Sequence, residues 1–240
     1  HYRTSRENQR NRRLQIGVIS NCALMDCFNL PERTKVGRVV PKNAFDEHIN
    51  TKQKKLFTDR VLRITWTHKL SADTVNLDAK DIQEIQVFKV ELKQKSDIPK
   101  ILEIINKSIP YHIVFWVEHD QEAYISISLK HPHPTNDDMA VIDWTFTSDW
   151  FNMSKSNYFF NLKGSLDAVL KDLCVQILGK PELDEQSLAS ILKTQQEIDR
   201  LKKEISKLKS AISNSKQFNE KVDLNQKINS LKKDLDSFLE

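Results

Sequence analysis

The sequence predicts an α+β fold: a small mixed β-sheet packed with helices, followed by a long C-terminal α-helical coiled coil or helical hairpin. Two observations predict the sheet domain. An amphipathic helical stripe that begins near Ile98 is followed by an apolar run from Tyr111 to Val117, and apolar residues alternate with polar ones after that run. The tail is predicted because the 59 residues after Pro181 contain neither glycine nor proline.

Length and composition divide the chain into three parts. Its 240 residues accommodate one mid-sized globular domain, predicted at residues 25–181, and a helical tail at residues 182–240. Residues 1–24 hold five of the ten arginines, and Met25 is the first methionine. We therefore interpret residues 1–24 as a disordered or non-native extension, with natural translation beginning near Met25. A secretory or twin-arginine leader is the alternative.

The charge and the cysteines limit the classes of partner. The net charge of +4 arises within residues 1–24, and the other 216 residues balance at 32 basic and 32 acidic side chains. We therefore expect any contact with DNA to be indirect or weak. Cys22 and Cys27 lie in or beside the extension and Cys174 is the only other cysteine, so no disulfide framework is expected. No apolar run is long enough to span a membrane. A cytoplasmic protein is expected.

The first half of the domain is predicted to hold an extended entry segment, a helix and a strand. Asn50 and Gln53 have the spacing of a capping box, and the helix is expected to run from there to about Lys69. Its apolar stripe consists of Phe57, Val61 and Ile64, extended by Trp66. Residues 82–93 have the composition of a strand.

A strand–helix–strand unit follows. Asp97 is predicted to cap a helix that Pro110 ends, and Tyr111 to Val117 reads as a central strand covered on both faces. The two strands should form a right-handed parallel crossover.

An antiparallel meander and a last helix are predicted to complete the domain. Apolar residues from Ile125 to Leu129 alternate with Ser126 and Ser128, which predicts a strand with one exposed face. Residues 131–138 are interpreted as a loop before another strand, and a helix follows from Leu166 to about Ile177.

The tail begins with coiled-coil heptads. Its first stripe is Ile198, Leu201, Ile205, Leu208 and Ile212, with isoleucine at positions a and leucine at positions d, which favours a parallel homodimer. Lys202 and Lys209 occupy positions e, where they would pair with glutamates at positions g of a partner chain.

A second stripe does not continue that register. It consists of Leu224, Ile228, Leu231, Leu235 and Phe238. Leu208 and Leu231 are 23 residues apart, which places the second stripe roughly 140° around a straight helix from the first. Either the tail folds into a hairpin near residues 213–215, or one long helix presents two faces to different partners.

The sharpest catalytic candidate is the set Asp78, Glu91 and Lys93. Nucleases of the PD-(D/E)xK type use carboxylates to hold Mg²⁺ and a lysine to orient or activate water. In that fold the motif lies in an antiparallel meander before the main crossover helix. Here Glu91 lies on the first strand that the sequence reveals, so we favour a solvated strand end over an active site. We expect no metal site and no cofactor, with Mg²⁺ needed only by the nuclease alternative.

Four stretches of the chain resemble a bacterial family catalogued as domain of unknown function 4391. They are KKLFTDRVLRITWTHK from Lys54, IQEIQVFKVELK from Ile82, IPYHIVFWV from Ile109 and KQFNEKVDLN from Lys216. The resemblance covers roughly residues 26–240. It implies a setting beside DNA methyltransferase and helicase genes, in restriction-modification or phage-defence loci, and it carries no established catalytic residues.

These observations favour a non-enzymatic accessory or scaffold protein. Its α+β domain would bind a protein partner, such as the helicase or methyltransferase, and its tail would assemble the complex. A Mg²⁺-dependent nuclease and a nucleic-acid-binding module are the two alternatives.

Overall fold

The structure, a computed structural model, describes residues 28–238 and has a mixed α+β fold. It forms two compact units, one ending at Ile177 and the other beginning at Leu178. The predicted extension at residues 1–24 lies outside the described residues. Within residues 28–238, no helix is both long and apolar enough to cross a membrane.

The strands of the first unit form one mostly antiparallel sheet. They are β1 (Lys35–Val39), β2 (Val61–Ser71), β3 (Glu84–Leu92), β4 (His112–His119), β5 (Glu122–His133), β6 (Asn136–Thr147) and β7 (Phe151–Asn152). Strands β1 to β6 are neighbours in chain order, and β7 pairs with β5. Only β3 and β4, among these pairs, are parallel. The predicted parallel crossover and the antiparallel meander after it are confirmed.

The helices are α1 (Thr51–Arg60), α2 (Ala72–Val75), α3 (Pro99–Lys107), α4 (Leu166–Leu178), α5 (Leu188–Asn214) and α6 (Phe218–Asp236). Helix α1 begins with the predicted capping box: the Asn50 side chain accepts from the Gln53 backbone N–H at 3.0 Å, and the Gln53 side chain accepts from the Asn50 N–H at 2.8 Å.

The prediction of one helix from residue 50 to residue 69 is wrong beyond Arg60. Val61, Ile64 and Trp66 lie on β2, which pairs along its whole length with β3. Apolar residues three apart fit a helix, but the hydrogen bonds to β3 and β1 come from residues distant in sequence and outweigh that local pattern. The predicted extended entry segment contains strand β1.

The centre of the sheet is buried on both faces, whereas the edge strand β1 is exposed. One face packs with α1 and α3 in a core of aliphatic and aromatic side chains that includes Phe57, Phe88, Ile101, Ile105, Phe115 and Val117. Side chains that alternate with these along β3 and β4, such as Val87 and Val114, are buried as well. The rings of Phe28 and Phe151 pack edge-on against Trp116. Strand β4 is therefore a central strand, as its apolar run predicted.

Two further predictions in this unit are corrected. Asp97 does not cap α3, which begins after Ile98; its carboxylate accepts a hydrogen bond from Trp150 Nε1 at 2.8 Å. Residues 131–138 are not a loop, because β5 continues to His133 and β6 begins at Asn136. Long pairing between β5 and β6 replaces the loop.

The second unit contains a helical hairpin. Helices α5 and α6 are joined by residues 215–217 and pack against each other, so they run antiparallel. The sequence left open a hairpin or one long helix, and the structure has the hairpin. A long coiled coil is not confirmed.

Candidate functional site at the carboxyl ends of strands β3 and β4

The parallel strands β3 and β4 end side by side and form the wall of a cavity. Their register places Glu91 next to Glu118, so both carboxylates lie on one face of the sheet. The cavity has a volume of about 530 Å³. Its lining residues are Leu62, Glu91, Leu92, Lys93, Glu118, His119 and Asp120. Crevices at the carboxyl ends of parallel strands are common ligand sites in α/β sheets.

Both carboxylates are bound by cations from the sheet itself. Arg63 on β2 donates from Nη2 to Glu91 Oε1 at 2.8 Å, and its Nε donates to Oε2. The Lys89 ammonium lies 2.7 Å from Glu118, which also accepts from Trp116 Nε1 at 3.0 Å. These hydrogen bonds to Glu91, together with its charge, raise the pKa of Arg63. The four charges therefore form a network with no net charge.

Lys93 is directed away from this network. Its Nζ donates to the carbonyl of Thr58 at 2.7 Å, and its backbone N–H donates to the carbonyl of Arg60 at 2.9 Å. These carbonyls lie at the carboxyl end of α1, where a cation complements the helix dipole. Lys93 thus joins α1 to the end of β3.

Asp78 lies at the opposite end of β3 from Glu91. Its carbonyl accepts from the Leu166 N–H at 2.9 Å, and it forms a β-bridge with Ser165. The Asp167 carboxylate then accepts from three successive N–H groups, those of Lys80, Asp81 and Ile82. Since β3 has nine residues, it separates Asp78 from Glu91 by more than about 20 Å. The fold therefore does not assemble the set Asp78, Glu91 and Lys93.

The strand order around Glu91 resembles that of PD-(D/E)xK nucleases more than the sequence suggested. Strands β1, β2 and β3 form an antiparallel meander, and α3 is the crossover helix that follows it. Glu91 and Lys93 therefore lie at the end of the third strand before the crossover, where that motif belongs. This meander was not predicted from the sequence, because the apolar residues of β2 have the spacing of a helix. Even so, among the described residues no three His, Cys, Asp or Glu side chains are placed to hold a metal ion.

The comparison with known families decides the classification. Residues 28–235 match the family described as domain of unknown function DUF4391. The chain belongs to the DUF4391 family. No curated protein and no solved structure matches it.

The DUF4391 domain also has a second cavity, with hydroxyl groups in a partly apolar wall, that sequence patterns did not reveal. It lies between α3 and strands β5 and β6, has a volume of about 510 Å³, and is lined by hydroxyls of Ser126, Ser128, Thr145 and Thr147. The prediction that Ser126 and Ser128 face solvent is wrong, because they are only 2% and 1% exposed. Helix α3 covers them, and Asn106 Nδ2 donates to Ser128 Oγ at 2.9 Å. Alternation shows which residues share a face, but not what covers that face.

Lys130 lies buried at the carboxyl end of α3, and only 6% of the residue is exposed. Its Nζ donates to the carbonyls of Asn106 at 2.8 Å and of Ile109 at 2.6 Å. Burial lowers the pKa of Lys130 to about 7. Burial, with the nearby charge of Lys130, lowers the pKa of His112 to about 4, so His112 is neutral at pH 7. Neither group lines either of the two cavities described above.

The tail of this DUF4391 chain brings its two predicted stripes together. Ile198, Leu201 and Ile205 of the first stripe are buried, as is Ile228 of the second. The remaining positions, Leu208, Ile212, Leu224, Leu231 and Leu235, are half-buried, and Phe238 is exposed. The seam predicted to join two chains therefore packs within one hairpin.

Proposed function

We propose that this DUF4391 protein is a non-enzymatic accessory protein that binds a protein partner in a DNA-modification complex. The observation that carries the proposal is the pairing of Glu91 with Arg63. A divalent cation at Glu91 would have to displace a bidentate guanidinium, and Glu118 beside it already contacts Lys89 and Trp116. A paired network of this kind supports a structural or binding role better than metal-dependent hydrolysis.

The end of the hairpin supports binding to a protein. Its apolar residues are Leu208, Ile212, Phe218, Val222 and Leu224, and none of them is buried. Phe218 is 78% exposed. Apolar residues clustered at an exposed helical turn indicate an interaction surface. The resemblance to DUF4391 implies which partner to test, namely the methyltransferase or the helicase of the same locus.

Binding to those two proteins tests the proposal directly. The full chain should form a complex with one of them in size-exclusion chromatography with light scattering. Phe218→Ser should weaken the complex at least tenfold, because the ring is exposed and able to enter a partner pocket. Phe159→Ser is the matched control, since Phe159 is 53% exposed in the other unit. Failure of both proteins to bind, or equal weakening by both variants, would overturn the proposal.

A metal-dependent nuclease is the second candidate, favoured by the position of Glu91 and Lys93 at the end of the meander. Plasmid DNA with Mg²⁺ or Mn²⁺ separates the two functions. The accessory role predicts no cleavage by the wild-type chain. Cleavage by wild type that is lost in both Glu91→Ala and Lys93→Ala would establish the nuclease instead.

A further inference from the structure

The charges of the hairpin are divided between its two flanks. The buried Ile198, Leu201 and Ile205 define positions a and d of α5, and Ile228 with its neighbours at intervals of three and four defines those of α6. In an antiparallel pair, positions e of one helix lie beside positions e of the other, and positions g lie beside positions g. Each flank of the hairpin therefore collects one kind of position from both helices.

The g flank is mixed in charge, because Glu197, Glu204 and Asp234 share it with Lys227. Arg200 donates to Glu197 at 2.6 Å and to Glu204 at 3.1 Å within α5. Hydrogen bonding to Glu197 raises the pKa of Arg200, and the charges of Glu204 and Asp234 raise it further. Asp234 of α6 therefore lies on the same side as the two glutamates, which agrees with the antiparallel register.

The e flank carries only basic and neutral side chains. Lys202 and Lys209 occupy positions e of α5, while Asn225 and Lys232 occupy positions e of α6. In a parallel dimer, Lys202 and Lys209 would meet glutamates of the partner chain, but in the hairpin they meet a lysine and an asparagine. All three lysines are exposed, and no hydrogen bond or ion pair joins any of them to another of the described side chains.

The surrounding residues do not neutralise this flank. Between residues 202 and 233 the chain has nine lysines and only three acidic residues, Glu204, Glu220 and Asp223. The balanced charge of residues 25–240 conceals this excess, because the sequence before and after residues 202–233 is more acidic. Unneutralised cations on one face raise the local concentration of polyanions.

We propose that the e flank of the hairpin, formed by Lys202, Lys209 and Lys232, binds the phosphodiester backbone of a nucleic acid. Lys202 and Lys209 are separated by two helical turns, about 10 Å, which allows them to contact separate phosphates of one strand. An acidic protein is a poorer fit, because lysine is depleted from protein–protein interfaces, whereas lysine contacts to phosphates are a general basis of nucleic-acid binding. This inference goes beyond the proposed protein contact at Phe218 and does not depend on it.

Fluorescence anisotropy of the full chain with labelled duplex DNA and with labelled single-stranded RNA tests the proposal. The test variant reverses the three flank lysines (Lys202→Glu, Lys209→Glu and Lys232→Glu). The control reverses Lys80, Lys155 and Lys163, which are exposed in the first unit, so both variants have the same net charge. The N-terminal arginines are present in every sample and contribute equally.

The flank variant should bind at least tenfold more weakly than the control at 50 mM salt. Its slope of log affinity against log salt should be smaller by about 2 to 3 units, because about 0.7 to 0.9 is lost for each phosphate contact. The arms with DNA and RNA show which backbone is preferred. No binding of either nucleic acid by wild type at 50 mM salt, or equal losses in the two variants, would overturn the proposal. Circular dichroism would confirm that the hairpin remains helical in both.

Discussion

Arg63 and Glu91 face each other on neighbouring strands, with the Arg63 Nη2 atom 2.8 Å from Glu91 Oε1. Their backbone positions are paired in the ladder between β2 and β3, so the ion pair spans the junction at which the sequence suggested a catalytic motif. It gives Glu91 a structural partner that lies 28 residues away in the chain.

A double-mutant cycle measures how strongly this pair stabilises the sheet. Arg63→Met and Glu91→Gln should each lower the free energy of unfolding, with a coupling energy of about 1 kcal/mol. The value is modest because the Arg63 side chain is 53% exposed, although that of Glu91 is only 17% exposed. Urea unfolding of the four proteins gives the coupling directly. Strictly additive effects would show that the pair contributes nothing.

Stability should fall in mild acid because of His112. Its folded pKa of about 4 lies below the usual 6.5, so the unfolded chain takes up a proton in this window and the folded chain does not. The stabilising effect is fully present above pH 6.5 and is lost as the pH falls towards 4, by on the order of 2 to 3 kcal/mol. His112→Gln should flatten the pH dependence of the unfolding midpoint in this window. An unchanged slope would refute the assignment to His112.

Lys130 should stabilise the carboxyl end of α3. At pH 10, where the buried amine is neutral and carries no desolvation cost of a charge, Lys130→Met should lower stability by about 2 to 3 kcal/mol, because it leaves the carbonyls of Asn106 and Ile109 without their donor. Since the folded pKa of about 7 lies below the ordinary 10.5, stability of the wild type should rise between pH 7 and 10. The Met variant should lack that rise. Thermal unfolding across this pH range measures both effects.

The hairpin should respond to changes at Leu201 more than at Leu208. Leu201 is 2% exposed, whereas Leu208 is only half-buried. Leu201→Ala should therefore cost about 2 to 4 kcal/mol of hairpin stability, and Leu208→Ala clearly less. Hydrogen exchange of the amides in α5 and α6 reports this locally. Equal losses would be inconsistent with the packing of the seam.

The packing of the same seam predicts the molar mass of the protein in solution. Because Leu201 packs within one chain, Leu201→Asp combined with Leu208→Asp should loosen the hairpin without changing the mass measured by light scattering. If the substitutions instead changed a dimer into a monomer, the first stripe would be the seam of a parallel homodimer, as the heptads alone suggest.

Much of the sheet domain was predictable because its signals are local. The crossover from β3 through α3 to β4 follows from an amphipathic stripe, a proline and an apolar run, all between Ile98 and Val117. Strand β2 was predicted as part of a helix because the spacing of Val61 and Ile64 fits a helix as well as a strand. Only its pairing with β3 distinguishes the strand from the helix. The burial of Ser128 was not predicted because the helix that covers it, α3, comes from another part of the chain.

By itself, the sequence determined the α+β class, the central strand, the capping of α1 and the two apolar stripes of the tail, since each depends on the period of neighbouring residues. Only the tertiary structure decided which groups meet: Glu91 meets Arg63 and not Asp78, the first stripe packs with the second within one chain, and Lys202 has no acidic partner among residues 28–238. Those pairings depend on hydrogen-bonded strands and on the direction in which the tail folds back, and neither is encoded in a local period.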